Sequence, residues 1–338
     1  MPEGSSLSDY NKILRLTYQN IVEFMAVHCA ADLMIPDFLA DGTAGTDELA
    51  SRARVNRDAL ERLMRVLARA GLCEESNGRF ALTPAGRALR SGVEGSMRGW
   101  VMFVGSQMYI RAWERLSYSI RTGKAAFEES HGMPFFEYLS RHQQAQSVFD
   151  AAMTAGSEAE ARAIVAAYDF SAFNTIVDIG GGHATVLARI LKANPTLQGA
   201  VFEQEQVLAG ARADLTEQGL LDRCVLIAGN FFDSVPDGYD AYLLKYIVHD
   251  WNDDKAGQIL RTCRRAMSES SKLLLVENVN SANASDLSII SDLEMLVLLG
   301  GKERSKDEFA RLLRHAGFEL QRVVPTACPL SLIEAVPV

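Results

Sequence analysis

A chain of 338 residues, 48% apolar and 23% charged, is long enough for two globular domains and too ordinary in composition to be fibrous or disordered. Its net charge of −9 argues against a nucleic-acid partner, which calls for a basic face. No apolar run approaches the ~20 residues that span a bilayer, and the opening lacks the apolar stretch of a secretory leader. The five cysteines are odd in number and without CxxC spacing, so buried reduced thiols in a cytoplasmic protein are expected.

Residues 1–98 read as a helical domain with one small hairpin. Apolar side chains recur at helical spacing from Ile13 to Met34, and Pro36 is expected to stop them. Thr46 is expected to cap a short helix with an acidic first turn, Asp47 and Glu48. From Arg57 to Ala70, Leu60, Leu63, Met64 and Leu67 fall at i, i+3, i+4 and i+7, and Gly71 follows as the terminating glycine. Leu72–Glu74 and Arg79–Leu82 flank a Ser76-Asn77-Gly78 turn and predict a hairpin, and Thr83-Pro84 opens another helix.

Helix, turn, helix and hairpin make a winged-helix pattern, which raises a DNA-binding regulator as a rival function. Arg57, Arg62, Arg65 and Arg69 lie against Asp58 and Glu61, however, and read as a solvated face. Dimerisation or support of a substrate lid is the preferred role. Residues 99–170 are again helical, broken at Gly123 and His131–Pro134, and read as a linker and lid rich in aromatic residues and Met.

Over residues 171–338 short β-rich runs alternate with helical ones: Thr175–Ile179, Gly199–Phe202, Val225–Ala228, Asp240–Leu244 and Lys272–Glu277, with helices such as Thr185–Ala193 and Lys255–Met267 between. Such alternation predicts a parallel, doubly wound sheet. Leu320–Val324 and Leu330–Ala335 are joined too closely for a helical crossover and should pair antiparallel. The fold class expected is α/β: a Rossmann-like seven-stranded sheet with an antiparallel last strand, plus the helical winged-helix domain.

At Thr175–Thr185 a strand runs into Gly180-Gly181-Gly182 and then a helix, the local pattern of a nucleotide-type ligand site at a strand's carboxyl end. The GxGxxG of dinucleotide-binding domains lacks its last glycine here, because position 185 is Thr. Glu203 ends the second strand, where a carboxylate can accept from ribose hydroxyls. After the third strand, Asn230 and Phe231 offer an amide for an adenine edge and an aromatic ring for its face. The fourth strand ends in Lys245-Tyr246-Ile247-Val248-His249-Asp250-Trp251. His249 lies just past the strand, beside the expected cofactor, as a candidate base. A metal set of His249, Asp250, Asp253 and Asp254 is the alternative, but capping by Asn252 and an acidic first turn already account for the last two, so no metal is expected.

With these motifs in place, the chain resembles, end to end, the plant caffeate-type and bacterial small-molecule O-methyltransferases, including those of antibiotic pathways. The matching stretches are Val177–Gly182, Phe202-Glu203, Gly229–Pro236, Lys245–Trp251, Glu277 and Asp292–Arg304. The resemblance implies S-adenosylmethionine as cofactor, contacted by Asp178, Gly180, Gly182, Glu203, Asn230, Phe231 and Lys245. It implies His249 as general base between Glu277 and Glu303 and a homodimer made by the N-terminal domain; the net charge and the lack of a spanning run leave no nucleic-acid or membrane partner expected. Phe149, Met153, Trp251, Met295 and Leu299 become the residues expected around a small, aromatic, hydroxylated acceptor. Three positions depart from the family pattern: Glu203 and Asn230 stand where Asp is usual, and Ala184 where Gly is often found. The acceptor is expected to be a phenol, mostly protonated near neutral pH, whose proton an imidazole removes. Transfer to carbon or nitrogen, and use of the cofactor without methyl transfer, are the other enzymatic readings.

Overall fold

The computed structural model describes residues 6–280 and 286–338. The chain divides into two compact units, residues 1–110 with 147–155 and residues 111–146 with 156–338.

The N-terminal unit begins with α1 (Leu7–Leu14), a π-helical turn (Arg15–Gln19) and α2 (Asn20–Asp32). Pro36 does not end this run, as had been expected. The helix stops four residues earlier, Met34 turns left-handed (φ 58°), and Pro36 sits in the first turn of the short α3 (Ile35–Phe38), where its missing N–H costs nothing. β1 (Ala44–Gly45) follows, then α4 (Thr46–Ala53), capped by Gly45 and not by Thr46, which is already helical. Asn56 caps α5 (Arg57–Arg69) through its side chain, and Gly71 turns left-handed after it. Strands β2 (Cys73–Ser76) and β3 (Arg79–Leu82) form the expected hairpin, with Asn77 and Gly78 both at positive φ. The small β1 adds a third, antiparallel strand to it. Thr83 caps α6 (Pro84–Arg87), and α7 (Arg98–Val104) completes the unit's own elements.

Leu49, Leu60, Met64, Leu67 and Phe80 form this unit's core. By contrast Leu7, Tyr10, Ile13, Leu14, Leu16, Tyr18, Ile21 and Met25 leave an apolar stripe exposed along its first helices. Cys73, Cys224 and Cys263 are buried, but Cys29 is exposed, against expectation, because it falls on the outer face of α2.

The second unit takes in the end of α8 (Gln107–Glu114), then α9 (Leu116–Thr122), α10 (Ala126–His131) and α11 (Phe135–Arg141). Left-handed glycines, Gly123 and Gly132, end α9 and α10. Helix α12 (Gln143–Ala167) gives residues 147–155 to the first unit and 156–167 to the second.

The sheet strands are β4 (Thr175–Ile179), β5 (Gln198–Glu203), β6 (Cys224–Ala228), β7 (Ala241–Lys245), β8 (Lys272–Asn280), β10 (Phe318–Pro325) and β11 (Leu330–Pro337), in the order β10-β11-β8-β7-β4-β5-β6. Only β11 runs against both neighbours; β8, β7, β4, β5 and β6 are mutually parallel. An eighth strand, β9 (Arg304–Ser305), pairs with the end of β8 and carries the preceding Glu303 toward it.

Alternation along each strand fills two cores. Ile176, Val201, Leu243 and Leu274 pack on α12, α13 (Thr185–Ala193) and α14 (Glu205–Glu217). Val177, Ala200, Leu244 and Leu275 pack on α15 (Asp253–Ala266) and α17 (Lys306–His315). The loops after β4, β5, β6 and β7 therefore gather at one end of the sheet, and α16 (Asp286–Leu298) leads into β9 there.

Candidate active site

The turn after β4 is built for close approach. Gly180 (φ 72°), Gly182 (φ 54°) and Ala184 (φ 65°) all adopt left-handed backbone. A Cβ on Gly180 would meet Ile247 at 2.5 Å and the Phe231 ring at 3.7 Å, and one on Gly181 would meet the Asp178 carboxylate at 2.8 Å. A Cβ on Gly182 would meet nothing within 4 Å, so this glycine faces open space. The Gly182 N–H donates to Glu203 Oε2 at 3.2 Å, which sets a carboxylate beside that space.

Lys245, at the end of β7, pairs with Glu160 at 2.7 Å. Asp178 is buried, which pushes its carboxyl up to about 7 against the pull of Lys245. Asn230 is exposed and closes its own turn: its Oδ1 accepts from Phe232 N–H and its amide donates to Asp233. Backbone cradle, carboxylate, amide, aromatic ring and lysine thus converge at the carboxyl ends of β4 to β7, a set that fits an adenosine carrying an amino-acid tail.

His249 lies on a single 3-10 turn, Val248–Asp250, just past β7, and is buried. Its Nδ1 is 3.0 Å from Glu303 Oε1 and 3.8 Å from Glu277 Oε2. A carboxylate only accepts, so Nδ1 carries a hydrogen and Nε2 is the nitrogen that takes a proton. Asp250 Oδ1 stands 3.3 Å from Nε2, ready to meet the N–H that forms there.

Glu303 Oε1 also accepts from Asn278 at 3.1 Å and Ser291 at 2.6 Å, and its own N–H donates to Asp292. Glu277 Oε1 accepts the N–H groups of Ile247 and Val248. Burial alone would depress the imidazole, but Glu277, then Asp250 and Glu303, outweigh it and hold His249 well above its usual range. Burial pushes Glu277 up to about 7, while the bonds from His249, Ser291 and Asn278 hold Glu303 below the ordinary carboxylate range despite its burial.

Ligand atoms, one each from His249, Glu277 and Glu303, lie within 4.8 Å of one another, a spacing that could hold a cation. The metal set weighed from sequence is not assembled. Asp253 instead receives Arg304 at 2.9 Å and Lys302 at 3.4 Å, and Asn252 caps α15 above it.

Of the residues expected around an acceptor, Trp251 touches Phe232 (ring centroids 4.8 Å apart) and Phe136 (5.8 Å), and Met295 is buried on α16, followed by the half-buried Leu299. Phe149 and Met153 belong to the N-terminal unit, where Phe149 packs edge-on against Phe103.

Two residues at the site had drawn no role from the sequence, and a third had drawn a different one. Tyr246 stacks on the His249 ring with centroids 4.9 Å apart. Arg304 is wholly buried beneath the His249 turn. Asp250 had entered only as a metal candidate. Their common signal was adjacency to His249 or Glu303 in the two motifs.

Fold and site together define a class I α/β methyltransferase. A model of the O-methyltransferase domain matches residues 113–319, and one of the O-methyltransferase dimerisation domain matches residues 16–92. The chain belongs to the family of S-adenosylmethionine-dependent O-methyltransferases of antibiotic and secondary metabolism. The phenazine O-methyltransferase of Lysobacter antibioticus is 41% identical over 315 residues, 93% of this chain and 92% of that protein. The 8-amino-8-demethylriboflavin N,N-dimethyltransferase of Streptomyces davaonensis is 34% identical, with 98% of both chains covered. Among solved structures, an O-methyltransferase from neocarzinostatin biosynthesis in complex with S-adenosylmethionine and 2-hydroxy-5-methyl naphthoic acid superposes with a TM-score of 0.81 at 33% identity, over 93% of this chain and 96% of that one. Membership in this enzyme family displaces the regulator reading. Among the described residues, no helix is long and apolar enough to cross a membrane.

Proposed function

We propose that this protein methylates a hydroxyl of a small aromatic secondary metabolite, with His249 as the general base. The observation that carries the reading is the 3.0 Å contact from His249 Nδ1 to Glu303, which leaves Nε2 to take the acceptor's proton. Glu303 and Glu277 hold the ring and stabilise the imidazolium, and Asp250 receives its new N–H. General-base help of this kind is worth about 10²–10⁴ in rate. S-adenosylmethionine, held by the glycine turn, Glu203 and Lys245, would supply an activated methyl on a positively charged sulfur to the acceptor oxygen.

Gly180 and Gly182 are assigned the backbone side of the cofactor, Glu203 the ribose, and Asn230 and Phe231 the adenine. Asp178 and Lys245 are assigned the charged tail. Trp251, Met295 and Leu299 are proposed to line the acceptor slot. Residues 1–98 are proposed as the dimerisation domain, supported by the exposed apolar stripe from Leu7 to Met25. Residues 99–170 serve as linker and lid, and residues 171–338 bind the cofactor. The free cysteines suit a reducing, cytoplasmic setting.

An aromatic amine is the second reading, because a relative covering 98% of the chain is an N,N-dimethyltransferase. Calorimetry with S-adenosylhomocysteine, followed by a methyl-acceptance screen of paired phenols and anilines, tests both. Phenol turnover lost in H249A with cofactor affinity retained supports the proposal. Turnover of anilines alone, or full phenol activity in H249A, rejects it.

A further inference from the structure

Glu160, on α12, sits in the same unit as His249 and the glycine turn. Its Oε2 pairs with Lys245 Nζ at 2.7 Å, and its Oε1 accepts from the Tyr246 hydroxyl at 3.2 Å. Tyr246 holds a left-handed backbone (φ 56°), a costly conformation for an L residue that its surroundings must maintain. Its ring lies nearly flat on the imidazole of His249, 20° from parallel, and Lys245 Nζ lies 4.4 Å from the centre of the same ring.

In the basic form of His249, Glu303 holds Nδ1 by a hydrogen bond, while Asp250, itself only an acceptor, gives none to the bare Nε2. A bond at one nitrogen leaves the ring able to turn about it; a flat contact on its face removes that freedom. Tyr246 is that contact, and Glu160 is the acceptor that pins its far end.

We infer that Glu160 is a positioning residue for the base. Through Tyr246 it sets the plane of the His249 ring, so that an acceptor hydroxyl meets the in-plane lone pair of Nε2. The inference rests on the reading of His249 as the base, but its test does not. The ring resonances of His249, assigned by their loss in H249Q, are recorded in the full-length protein without acceptor for the wild type, Y246F, E160A and E160Q. Y246F removes one hydroxyl and leaves every charge in place.

The His249 resonances are expected to move in Y246F and E160A and to return toward wild type in E160Q, which keeps an acceptor for the hydroxyl. With the acceptor found in the screen, kcat should fall about ten- to a hundredfold in Y246F and E160A, the scale of an ångström's misplacement, with KM unchanged. Unmoved resonances in Y246F and E160A, E160Q behaving as E160A, or moved resonances with unchanged kcat would each overturn the inference. Full activity in H249A would instead reject the base assignment and leave the resonance result standing.

Discussion

The guanidinium of Arg304 donates to the carbonyl oxygen of Val248 at 2.8 Å, immediately before His249 in the chain. The same side chain donates to the Trp251 carbonyl at 2.7 Å and to Asp253 at 2.9 Å and 3.0 Å, and none of it reaches solvent. Arg304 therefore ties both ends of the turn that carries the base to the first residue of α15. R304A would leave the Trp251 carbonyl without its donor, the Val248 carbonyl with only the Trp251 N–H, and Asp253 without its guanidinium. Loss of stability by about 1–3 kcal/mol is expected in denaturant titration. R304K, which cannot reproduce a planar fork, should fall between R304A and the wild type. A loss under ~1 kcal/mol in R304A would mean that the turn is held by other contacts.

The charge around His249 fixes the direction of the pH response. Its unprotonated form is the base, and Glu277, Asp250 and Glu303 raise its pKa well above the usual ~6.5. Activity should therefore climb with pH through a midpoint on the alkaline side and then level off. E303Q removes a carboxylate that favours the imidazolium, so the midpoint should drop while the plateau falls. The stability term has a matching sign: the His249 contribution is present in full below ~6.5 and is lost as pH rises through the raised value. Rate profiles of the wild type and E303Q decide the point, and an alkaline shift in E303Q would contradict it.

The strands and the Thr185–Ala193 helix were legible because glycine turns and alternating apolar runs are local signals, and the helix falls on the residues its spacing indicates. His249, Glu277 and Glu303 could be singled out because each sits in a short recognisable motif. Glu160 could not: it is one acid among several on a long helix, and only the fold brings it to Tyr246, 86 residues on. Arg304 looks like a surface arginine until β9 pairs with β8 and turns it inward. The π-helical turn at Arg15–Gln19 is equally silent, since one extra residue in a turn barely alters apolar periodicity.

Gly300 and Gly301 are adjacent but serve opposite needs, and alanine separates them. Gly300 has φ 71° with its nearest neighbour, Ala125, 3.7 Å from an added Cβ, so G300A suffers backbone strain but little crowding. About 1–2 kcal/mol of stability should be lost, with kcat near wild type. At Gly301 an added Cβ would stand 2.0 Å from the His249 carbonyl oxygen and 2.6 Å from the Asp250 carbonyl carbon. Neither atom is the end of a flexible side chain, so the base turn itself must move, and the Lys302 N–H bond to the His249 carbonyl at 2.9 Å goes with it. G301A should lose ~1–3 kcal/mol from overpacking and about a hundredfold in kcat from the displaced imidazole. Parallel denaturation and steady-state rates test the pair. If G300A and G301A lose activity equally, the close approach at Gly301 is not what seats His249.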